Sequence, residues 1–454
     1  MSYGRFWKDE SGSTLVIAVL SMMVLLLFAG LSIDIGNLRS AKRSLQAAAD
    51  AAALAAALEI SSCHGVSNCS AVLTAAQSSM AENGFTGSTE LSNCAAAGNG
   101  LTLIVNNPPC AQGSSDPNSG NGNYVEVVAS TTQKTYLASL IGYKSVPVSV
   151  RAEAYKTPNP NCIYALDPSG GNAFTVDLLA TVTSSCGVWV ESSAWNALSC
   201  NLIASLTAPQ VNVVGGAEGF LCLPSTTPNL GLTAPTPGDP LAYLPKPSVP
   251  ACGTSLSSPF HGSSVPLTII GTATLYPDAA YCGGITIAAA SNVTFMPGTY
   301  VIESGGLLGL QGGLTISLLA NVSGTGVTFY NYGPNGGITF AAASVNLGTV
   351  SLIAPTSGTY GGILFFQDPQ NSSPATILGS TAWNTALEGA YYFPNASVNY
   401  AASLNVRYNI LVAKDISFSL LTFGSTSLNS TFANDYSTLL NGSPLQGGGS
   451  VLVQ

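Results

Sequence analysis

Two consecutive segments of the chain repeat one another. "CIYALDPSGGNAFTVDLLATVT", which starts at Cys162, aligns with "CGVWVESSAWNALSCNLIASLT", which starts at Cys186. Within each copy, apolar and polar side chains alternate, so that the inward position Val176 corresponds to Cys200. Alternation with a period of two, inside a repeat of about two dozen residues, is typical of parallel strands that coil with one repeat per turn. We therefore predict a right-handed parallel β-helix.

Less regular copies follow in the C-terminal half. They combine Gly pairs with β-branched or aromatic runs, as in "GGITIAAASNVTF", "GGLTISLLANVSG" and "GGITFAAASVNLG". The Gly pairs indicate corners, and the runs that follow indicate strands. We assign the first turns of the coil to residues 158–224 and its continuation to residues 266–454. Residues 225–265 are Pro-rich and lack periodicity, so we expect an extended strap over the coil. A β-sandwich of short strands is the alternative fold.

An apolar run near the N-terminus limits where such a domain can be. Residues 13–33 contain no charge, and a run of this length is enough to cross about 30 Å of hydrocarbon as a helix. We predict a transmembrane helix, with residues 1–12 as a cytoplasmic tail. A cleaved signal peptide is the alternative, but its apolar region is usually shorter, and here the chain continues as a helix.

The segment that follows, residues 34–60, is rich in alanine and predicts a continuous helical extension. Ala, Leu, Gln and Arg favour helices, and no Gly or Pro interrupts the segment after Asn37. Small side chains also let another backbone approach closely. The sequence leaves two interpretations open: this helix packs against other helices, or it packs on the downstream domain of its own chain.

The same segment carries a recognisable motif. Its residues include "LQAAADAAALAAA". The motif residues are Asp34, Leu45, Gln46, Asp50 and Leu54. With the preceding apolar run, they resemble the amino-terminal segment of TadE/TadG-like proteins of the tight-adherence (Flp) pilus assembly machinery. The resemblance extends from the N-terminus to the neighbourhood of Ile60. It implies a structural envelope protein that takes part in pilus assembly or in cell adhesion, with other pilus-assembly components as partners of the N-terminal helix.

Residues 61–157 predict a small α/β, pilin-like head. "YVEVVASTTQ" and "SVPVSVRAEAY" alternate as strands, and "KTYLASLIG" between them has helical spacing and ends on a Gly. The stretch between Asn93 and Asn123 is rich in Gly, Asn, Ser and Pro, which predicts a loop. "TPNPN", at residues 157–161, marks the boundary with the coil.

All cysteines lie beyond the apolar run, and their even number favours disulfides and an oxidising compartment. Buried free thiols in a cytoplasmic domain are the alternative. The ten are Cys63, Cys69, Cys94, Cys110, Cys162, Cys186, Cys200, Cys222, Cys252 and Cys282. We therefore predict a single-pass protein of the inner (cytoplasmic) membrane, whose C-terminal secreted domain is periplasmic or exposed at the cell surface.

The predicted coil also predicts disulfide partners. Equivalent residues of successive turns lie about 4.8 Å apart, within the usual Cα separation of bridged cysteines. Cys162 and Cys186 are one repeat apart, and Cys200 and Cys222 are nearly so. We expect the remaining cysteines to pair as neighbours in sequence: Cys63 with Cys69, Cys94 with Cys110, and Cys252 with Cys282.

Charge is sparse, and this limits the function classes. Only 7% of residues are charged, and beyond residue 160 the basic residues are Lys246, Arg407 and Lys414. A nucleic-acid surface needs clustered Lys and Arg, so we expect no nucleic-acid partner. β-Helix enzymes that act on polysaccharides use clustered carboxylates, whereas here only Arg407, Lys414 and Asp415 are close in sequence within the repeats. We expect no catalytic, metal or cofactor site; an extracytoplasmic carbohydrate-active enzyme is the alternative, and a polysaccharide surface remains a candidate partner.

Overall fold

The structure, a computed structural model, describes most of the chain. The described residues are 11–63, 67–91, 94, 102–157, 159–177, 179–201, 204–219, 226–235, 238–304, 312–317, 319–340, 348–380, 385–419, 428–440 and 442–453. Cys222 and residues 1–10 of the predicted tail lie outside them. The chain divides into two compact units. The head unit contains the described residues up to Lys156 and those from Ser450 onward, and the ladder unit contains Thr157–Gly449.

One long helix runs through the head unit. Helix α1 covers Ser11–Leu58, about 72 Å at 1.5 Å per residue, and continues as a 3₁₀ turn over Glu59–Cys63. Helix α2 covers Ser70–Glu82. The strands of the head are β1 Ser88–Leu91, β2 Thr102–Asn106, β3 Tyr124–Lys134, β4 Ser145–Lys156 and β29 Ser450–Leu452. They form one sheet in the order β1-β2-β3-β4-β29, in which only the β1–β2 pair is parallel.

The C-terminal half of α1 is the centre of the head's core. Ala48, Ala52 and Ala56 are fully buried among apolar residues of β3, β4 and α2. A helix that is buried on several sides needs small or apolar residues around its whole circumference. The alanines therefore let the sheet and α2 approach the same helix closely.

Three sequence predictions for the head need correction. The helix predicted at residues 134–142 is absent: β3 and β4 form an antiparallel hairpin, and only Ala138–Ile141 makes a 3₁₀ turn, which ends at Gly142 with φ 101°. So short a segment does not sustain a helix without a packed face. The predicted loop between Asn93 and Asn123 contains β2, and α2 was not predicted. The last strand, β29, belongs to the head instead of the coil, because it pairs with the edge of β4.

The ladder unit contains short strands and no helix among its described residues. In chain order they are β5 Asn161–Ala165, β6 Phe174–Val176, β7 Ala180–Ser184, β8 Gly187–Val190, β9 Leu198–Cys200, β10 Ser205–Thr207, β11 Val211–Val213, β12 Ala217–Glu218, β13 Leu267–Ile269, β14 Thr272–Leu275, β15 Tyr281–Cys282, β16 Ile285–Ile287, β17 Asn292–Phe295, β18 Gly298–Glu303, β19 Leu314–Ile316, β20 Asn321–Thr325, β21 Val327–Tyr332, β22 Ile338–Phe340, β23 Val350–Ile353, β24 Ile363–Gln367, β25 Ala375–Ser380, β26 Thr385–Ser403, β27 Asn409–Phe418 and β28 Leu428–Phe432.

These strands pair in parallel, mostly with the strand three places further along the chain. The first ladder runs β13–β16–β19–β22–β25–β26–β27–β6–β9–β12. The second ladder runs β15–β18–β21–β24–β26–β27–β5–β8–β11. The third ladder contains β14–β17–β20–β23–β26 and, separately, β28–β7–β10. The result is a mainly-β unit built on parallel sheets.

The order of strands within the ladders differs from their order in the sequence. β27, near the C-terminus, pairs with β5 and β6, the first strands of the unit. The first strands of the unit therefore do not begin the ladders; they extend them beyond β27. β11 lies at one end of the second ladder and β15 at the other.

The Pro-rich strap connects these two ends. Along its length it contacts β11, β26, the residue that follows β24, and β15, in the order in which these strands stand in the second ladder. Asn229 donates to Asn212 of β11 at 2.9 Å, and Asp239 accepts from Tyr392 of β26 at 2.6 Å. Its distal part, which we predicted to be outside the coil, forms isolated parallel bridges at Cys252, Phe260 and Ser263. The strap thus ends as a partial extra layer on the β13–β15 end.

A column of buried side chains fills the space beside the second ladder. Tyr300, Phe329, Phe365 and Tyr391 occupy equivalent positions, and their ring centroids lie 5.5–5.7 Å apart from one to the next. Aliphatic residues continue the same row: Leu411, Ile163, Val188 and Val211. All eight are fully buried. Their stacking is the main apolar core of the unit.

The shift that relates the two copies of the first repeat holds for most of their length. It is the separation of 24 positions between Cys162 and Cys186. Val176 pairs with Cys200, as the sequence alignment predicts. At the start of the repeat the shift is larger: Ile163 pairs with Val188 and Ala165 with Val190, and the shift returns to that of the repeat at Phe174, which pairs with Leu198. One extra residue in a strand displaces the register by one position.

Candidate functional site

The N-terminal helix divides into an exposed half and a docked half. Large apolar side chains between Leu15 and Ile33 are about half to two-thirds exposed, whereas Leu45 is fully buried. Leu54 packs at the edge of the same core. The helix is long and apolar enough to cross a membrane. Of the two interpretations that the sequence left open, the structure places the alanine-rich half against its own head.

Gln46 joins the helix to strand β4. Its side-chain amide donates to the carboxylate of Asp50 at 2.7 Å and to the backbone carbonyl of Arg151 at 2.9 Å. The helix and the sheet are therefore joined by a polar contact as well as by apolar packing. This contact explains in physical terms why a Gln and an Asp interrupt an otherwise apolar, alanine-rich surface.

Asp34 holds the tip of the β3–β4 hairpin against α1. Its carboxylate accepts hydrogen bonds from the backbone N–H groups of Tyr136, Leu137 and Ala138, at 2.8, 2.9 and 2.7 Å. These donors, above all that of Ala138, hold the pKa of the Asp34 carboxyl below its ordinary value, against the opposing effect of burial. Asp34 is far from these partners in sequence, so sequence patterns alone give no sign of the contact.

A glycine makes the same approach possible. A Cβ at Gly30 would overlap the Leu137 side chain, whereas a Cβ at Gly36 would meet no atom within 4 Å. Gly30 lies one helical turn before Asp34, on the same face. Together the two residues form a notch in α1 that receives the hairpin tip.

The opposite face of the head's sheet carries a buried ionic cluster. The guanidinium of Arg151 forms ion pairs with Asp116, Glu126 and Glu153, and all three carboxylates are almost fully buried. Burial raises the pKa of Glu153, and the nearby Asp116 raises it further. Glu126 also accepts from the backbone N–H of Ala111 at 2.8 Å. The cluster fixes the segment after β2 onto the sheet, which is a structural role.

Four of the five expected cysteine pairs are disulfides in the structure. Their Cα atoms lie 5.4–5.7 Å apart. The pairs are Cys63–Cys69 and Cys94–Cys110 in the head, and Cys162–Cys186 and Cys252–Cys282 in the ladder unit. Cys200 is also disulfide-bonded. Its expected partner, Cys222, lies outside the described residues, so that pairing stays a prediction.

One group in the described part of the chain has the composition of a metal site. Ligand atoms of Cys252, Cys282 and Glu303 lie within 4.8 Å of one another. However, the two sulfur atoms are bonded to each other, and metal ligation by cysteine requires the thiolate. In the oxidised chain this group is therefore a disulfide with a neighbouring carboxylate.

The basic and acidic residues that are close in sequence within the repeats do not form one cluster in the structure. Lys414 pairs with Asp167 at 3.5 Å, and Asp415 accepts from Ser397 at 3.1 Å. Burial raises the pKa of Asp415, with Asp167 adding to the effect. Asp167 itself accepts from the backbone N–H groups of Ser169 and Gly170, so both of its oxygens already have partners. Asp167 closes a turn, and Arg407 is not part of this group.

The first ladder carries a regular polar row on its outer side. Its central positions are occupied by Thr268, Thr286, Thr315, Thr339 and Thr376, one in each of five successive strands. Their side chains are exposed or half-buried. Successive members of such a row lie about 4.8 Å apart. The row gives the unit an uncharged line of hydroxyl and methyl groups on its outer side.

Among the described residues, one helix is long and apolar enough to cross a membrane, and this helix continues into the core of the head. Residues 12–59 match the family model described as Flp pilus-assembly TadE/G-like. The matched segment coincides with α1, which ends at Leu58. The resemblance drawn from the motif residues is thereby confirmed for this segment. Neither the curated proteins nor the solved structures contain a match to the chain.

Proposed function

We propose that this chain is a membrane-anchored, structural component of Flp pilus assembly. The observation that carries the proposal is the TadE/G-like match over residues 12–59, which is a match to a pilus-assembly family. The same residues form one helix whose first half is exposed and apolar and whose second half is buried in the head. Such a helix joins an anchor rigidly to a folded domain. In this role the helix fixes the position of the head, and its exposed half is the surface available to other pilus-assembly components.

We infer a single-pass topology with the amino terminus in the cytoplasm. Four disulfides support an oxidising environment for both units, because such bonds persist outside the cytoplasm. The ladder unit, and the head unit beyond the apolar half of α1, would then lie in the periplasm or at the cell surface.

We also infer that the ladder unit is a right-handed parallel β-helix with three strands per turn. Pairing of each strand with the third strand onward supports this, since one turn then contributes one strand to each ladder. The handedness follows from the general preference of parallel crossover connections for a right-handed path.

A contact role for the ladder unit's outer surface is the extension of this proposal. The threonine row supports it, because a regularly spaced row of hydroxyl and methyl groups can complement another extended polymer. A polysaccharide is the candidate ligand. An enzymatic role has weaker support: the carboxylate of Asp167 closes a turn, and Lys414 pairs with it.

Deletion of the gene tests the proposed role in assembly. We expect loss of pili and of surface attachment with normal growth, and recovery when the intact chain is supplied. The Ala48→Leu chain, which crowds a buried helix position, should fail to restore pili, whereas Ala47→Leu, at an exposed position of the same helix, should succeed. Normal piliation in the deletion strain would contradict the proposal.

Labelling tests the topology. Leu256 is 87% exposed in the ladder unit, so Leu256→Cys supplies an accessible thiol in a chain whose described cysteines are oxidised. A thiol reagent that cannot cross the inner membrane should label this position in cells with a permeable outer membrane. Labelling only after disruption of the inner membrane would place the unit in the cytoplasm.

A further inference from the structure

The tip of the β3–β4 hairpin carries large apolar and aromatic side chains that no described part of the head covers fully. Tyr136 is 69% exposed, Leu140 76% and Tyr143 65%. Lys134 and Lys144 are exposed at the two ends of the tip. A compact apolar patch on a hairpin tip is unusual for a surface that faces only water, and such patches mark interaction sites.

The position of this tip along α1 is fixed by two contacts. The Asp34 carboxylate holds the backbone of residues 136–138, and the Leu137 side chain lies against Gly30. Gly30 is inside the uncharged run that ends at Ile33. The tip is therefore level with the last turn of the apolar half of α1.

The rest of the sheet lies farther along the helix. Arg151, in the middle of β4, contacts Gln46. At the rise of an α-helix, Gln46 lies about 24 Å beyond Gly30 along the helix axis. The hairpin thus points from the head toward the apolar half of α1, and its exposed apolar side chains are at the end nearest that half.

We propose that residues 135–144 form an interfacial loop that inserts into the headgroup region of the lipid bilayer. Tyrosines are favoured at this depth, because the ring is apolar and the hydroxyl reaches water. Leu140 would enter the acyl boundary, while Lys134 and Lys144 would meet lipid phosphates. The proposal rests on the membrane anchoring proposed above for α1. It adds a second point of contact, which sets the rotation of the head about the helix axis.

Spin labels on the full-length chain in lipid nanodiscs that contain anionic lipid test the depth of this loop. Three single variants are needed: Leu140→Cys in the loop, Val24→Cys in the apolar half of α1, and Ser114→Cys as a water-exposed control in the head. Ser114 lies near Asp116, which pairs with Arg151, far from the tip. The unsubstituted chain reports background labelling, since its described cysteines are oxidised.

The measured quantity is accessibility to oxygen relative to a water-soluble nickel chelate. We expect the ratio at residue 140 to be several-fold higher than at residue 114, and the ratio at residue 24 to be the highest. A high ratio at 24 with a water-like ratio at 140 would overturn the interfacial loop and leave the anchor intact. The patch would then lie in water, outside the bilayer. Water-like ratios at both 24 and 140 would overturn the anchor itself.

A second pair of substitutions tests whether the notch positions the loop. In the labelled Leu140→Cys chain, Gly30→Leu should displace Leu137 and lower the ratio at 140 several-fold. Gly36→Leu, where a side chain meets open space, should leave the ratio unchanged. An unchanged ratio in the Gly30→Leu chain would show that the notch does not hold the loop at its depth. Because residue 24 is labelled in parallel, loss of membrane insertion is detected separately.

Discussion

The head unit and the ladder unit bury their cores by opposite means. In the head, the smallest side chains are central: Ala48 and Ala52 allow a sheet and a helix to pack on α1 at close range. In the ladder unit, the largest side chains are central: Phe329, Phe365 and Tyr391 stack along one ladder. Close approach is what stabilises the first, and buried ring area is what stabilises the second. Removal of side-chain volume should therefore destabilise the ladder unit most. Addition of side-chain volume should destabilise the head most.

The two units also differ in how their contacts are distributed along the chain. Strands of the ladder unit mostly pair with the third strand onward, as β16 does with β19 and β19 with β22. A substitution in one strand therefore affects its neighbours in the ladder first. The head depends on single contacts between distant segments, such as Asp34 with the β3–β4 hairpin and β29 with β4. A destabilising substitution should therefore affect only nearby strands in the ladder unit, whereas in the head it should affect the whole unit.

The largest expected effect is in the aromatic column. Phe365→Ala removes a fully buried ring between Phe329 and Tyr391, and should lower the free energy of unfolding of the ladder unit by about 3–5 kcal/mol. Thr315→Ala, on the outer row, should change it by less than about 0.5 kcal/mol. Hydrogen exchange measured by mass spectrometry assigns the loss to one unit. Equal effects of the two substitutions would contradict the proposed core.

Disulfide removal ranks next, and it compares the units directly. Cys162 and Cys186 are 24 positions apart, and Cys63 and Cys69 are 6 apart. Loop-closure entropy predicts a loss of about 3 kcal/mol for the first pair and about 2 kcal/mol for the second when both cysteines become Ser. Denaturant unfolding of the two double variants measures the difference. A larger loss for the shorter loop would mean that native contacts outweigh chain entropy here.

A small-to-large substitution should destabilise the head, whereas the large-to-small substitution above destabilises the ladder unit. Ala48→Leu adds volume where α1 is fully buried, and should destabilise the head by about 1–3 kcal/mol. Ala47→Leu, exposed on the same helix, is the matched control and should be nearly neutral. Amide exchange in β3 and β4 reports the result. If both variants behave alike, the helix is not packed as described.

The smallest effect concerns pH, and it depends on Glu191, which follows β8 and faces Asp239 of the strap. Burial, with the nearby Asp239, raises the pKa of Glu191 from 4.5 to about 7. A carboxyl whose pKa is higher in the folded state binds more protons there, so the contribution of Glu191 to stability is fully present below pH 4.5 and is lost as pH rises through about 7. Glu191→Gln should lose this dependence and be the more stable chain at and above neutral pH. Titration of the unfolding midpoint with pH checks the slope, and an unchanged slope would exclude Glu191 as its source.

Several elements were predictable because they repeat or are strictly local. The apolar run, the TadE/G-like motif and the two strands β3 and β4 each depend on residues that are close in sequence. The shift between Val176 and Cys200 was predictable because each turn copies the one before. The helix at residues 134–142 was predicted wrongly. Its apolar residues have helical spacing over too short a segment, and the strands on either side pair with each other.

By itself, the sequence determined that the chain has a helix able to cross a membrane, an alanine-rich extension, and short parallel strands that recur along the chain, since periodicity and side-chain size act over short distances. The tertiary structure decided the rest. It decided that β27 pairs with β5 and that the strap connects β11 with β15. It also decided that Asp34 binds the backbone of the hairpin tip. These contacts join segments that are distant in the sequence, and the identity of either residue alone does not specify the other.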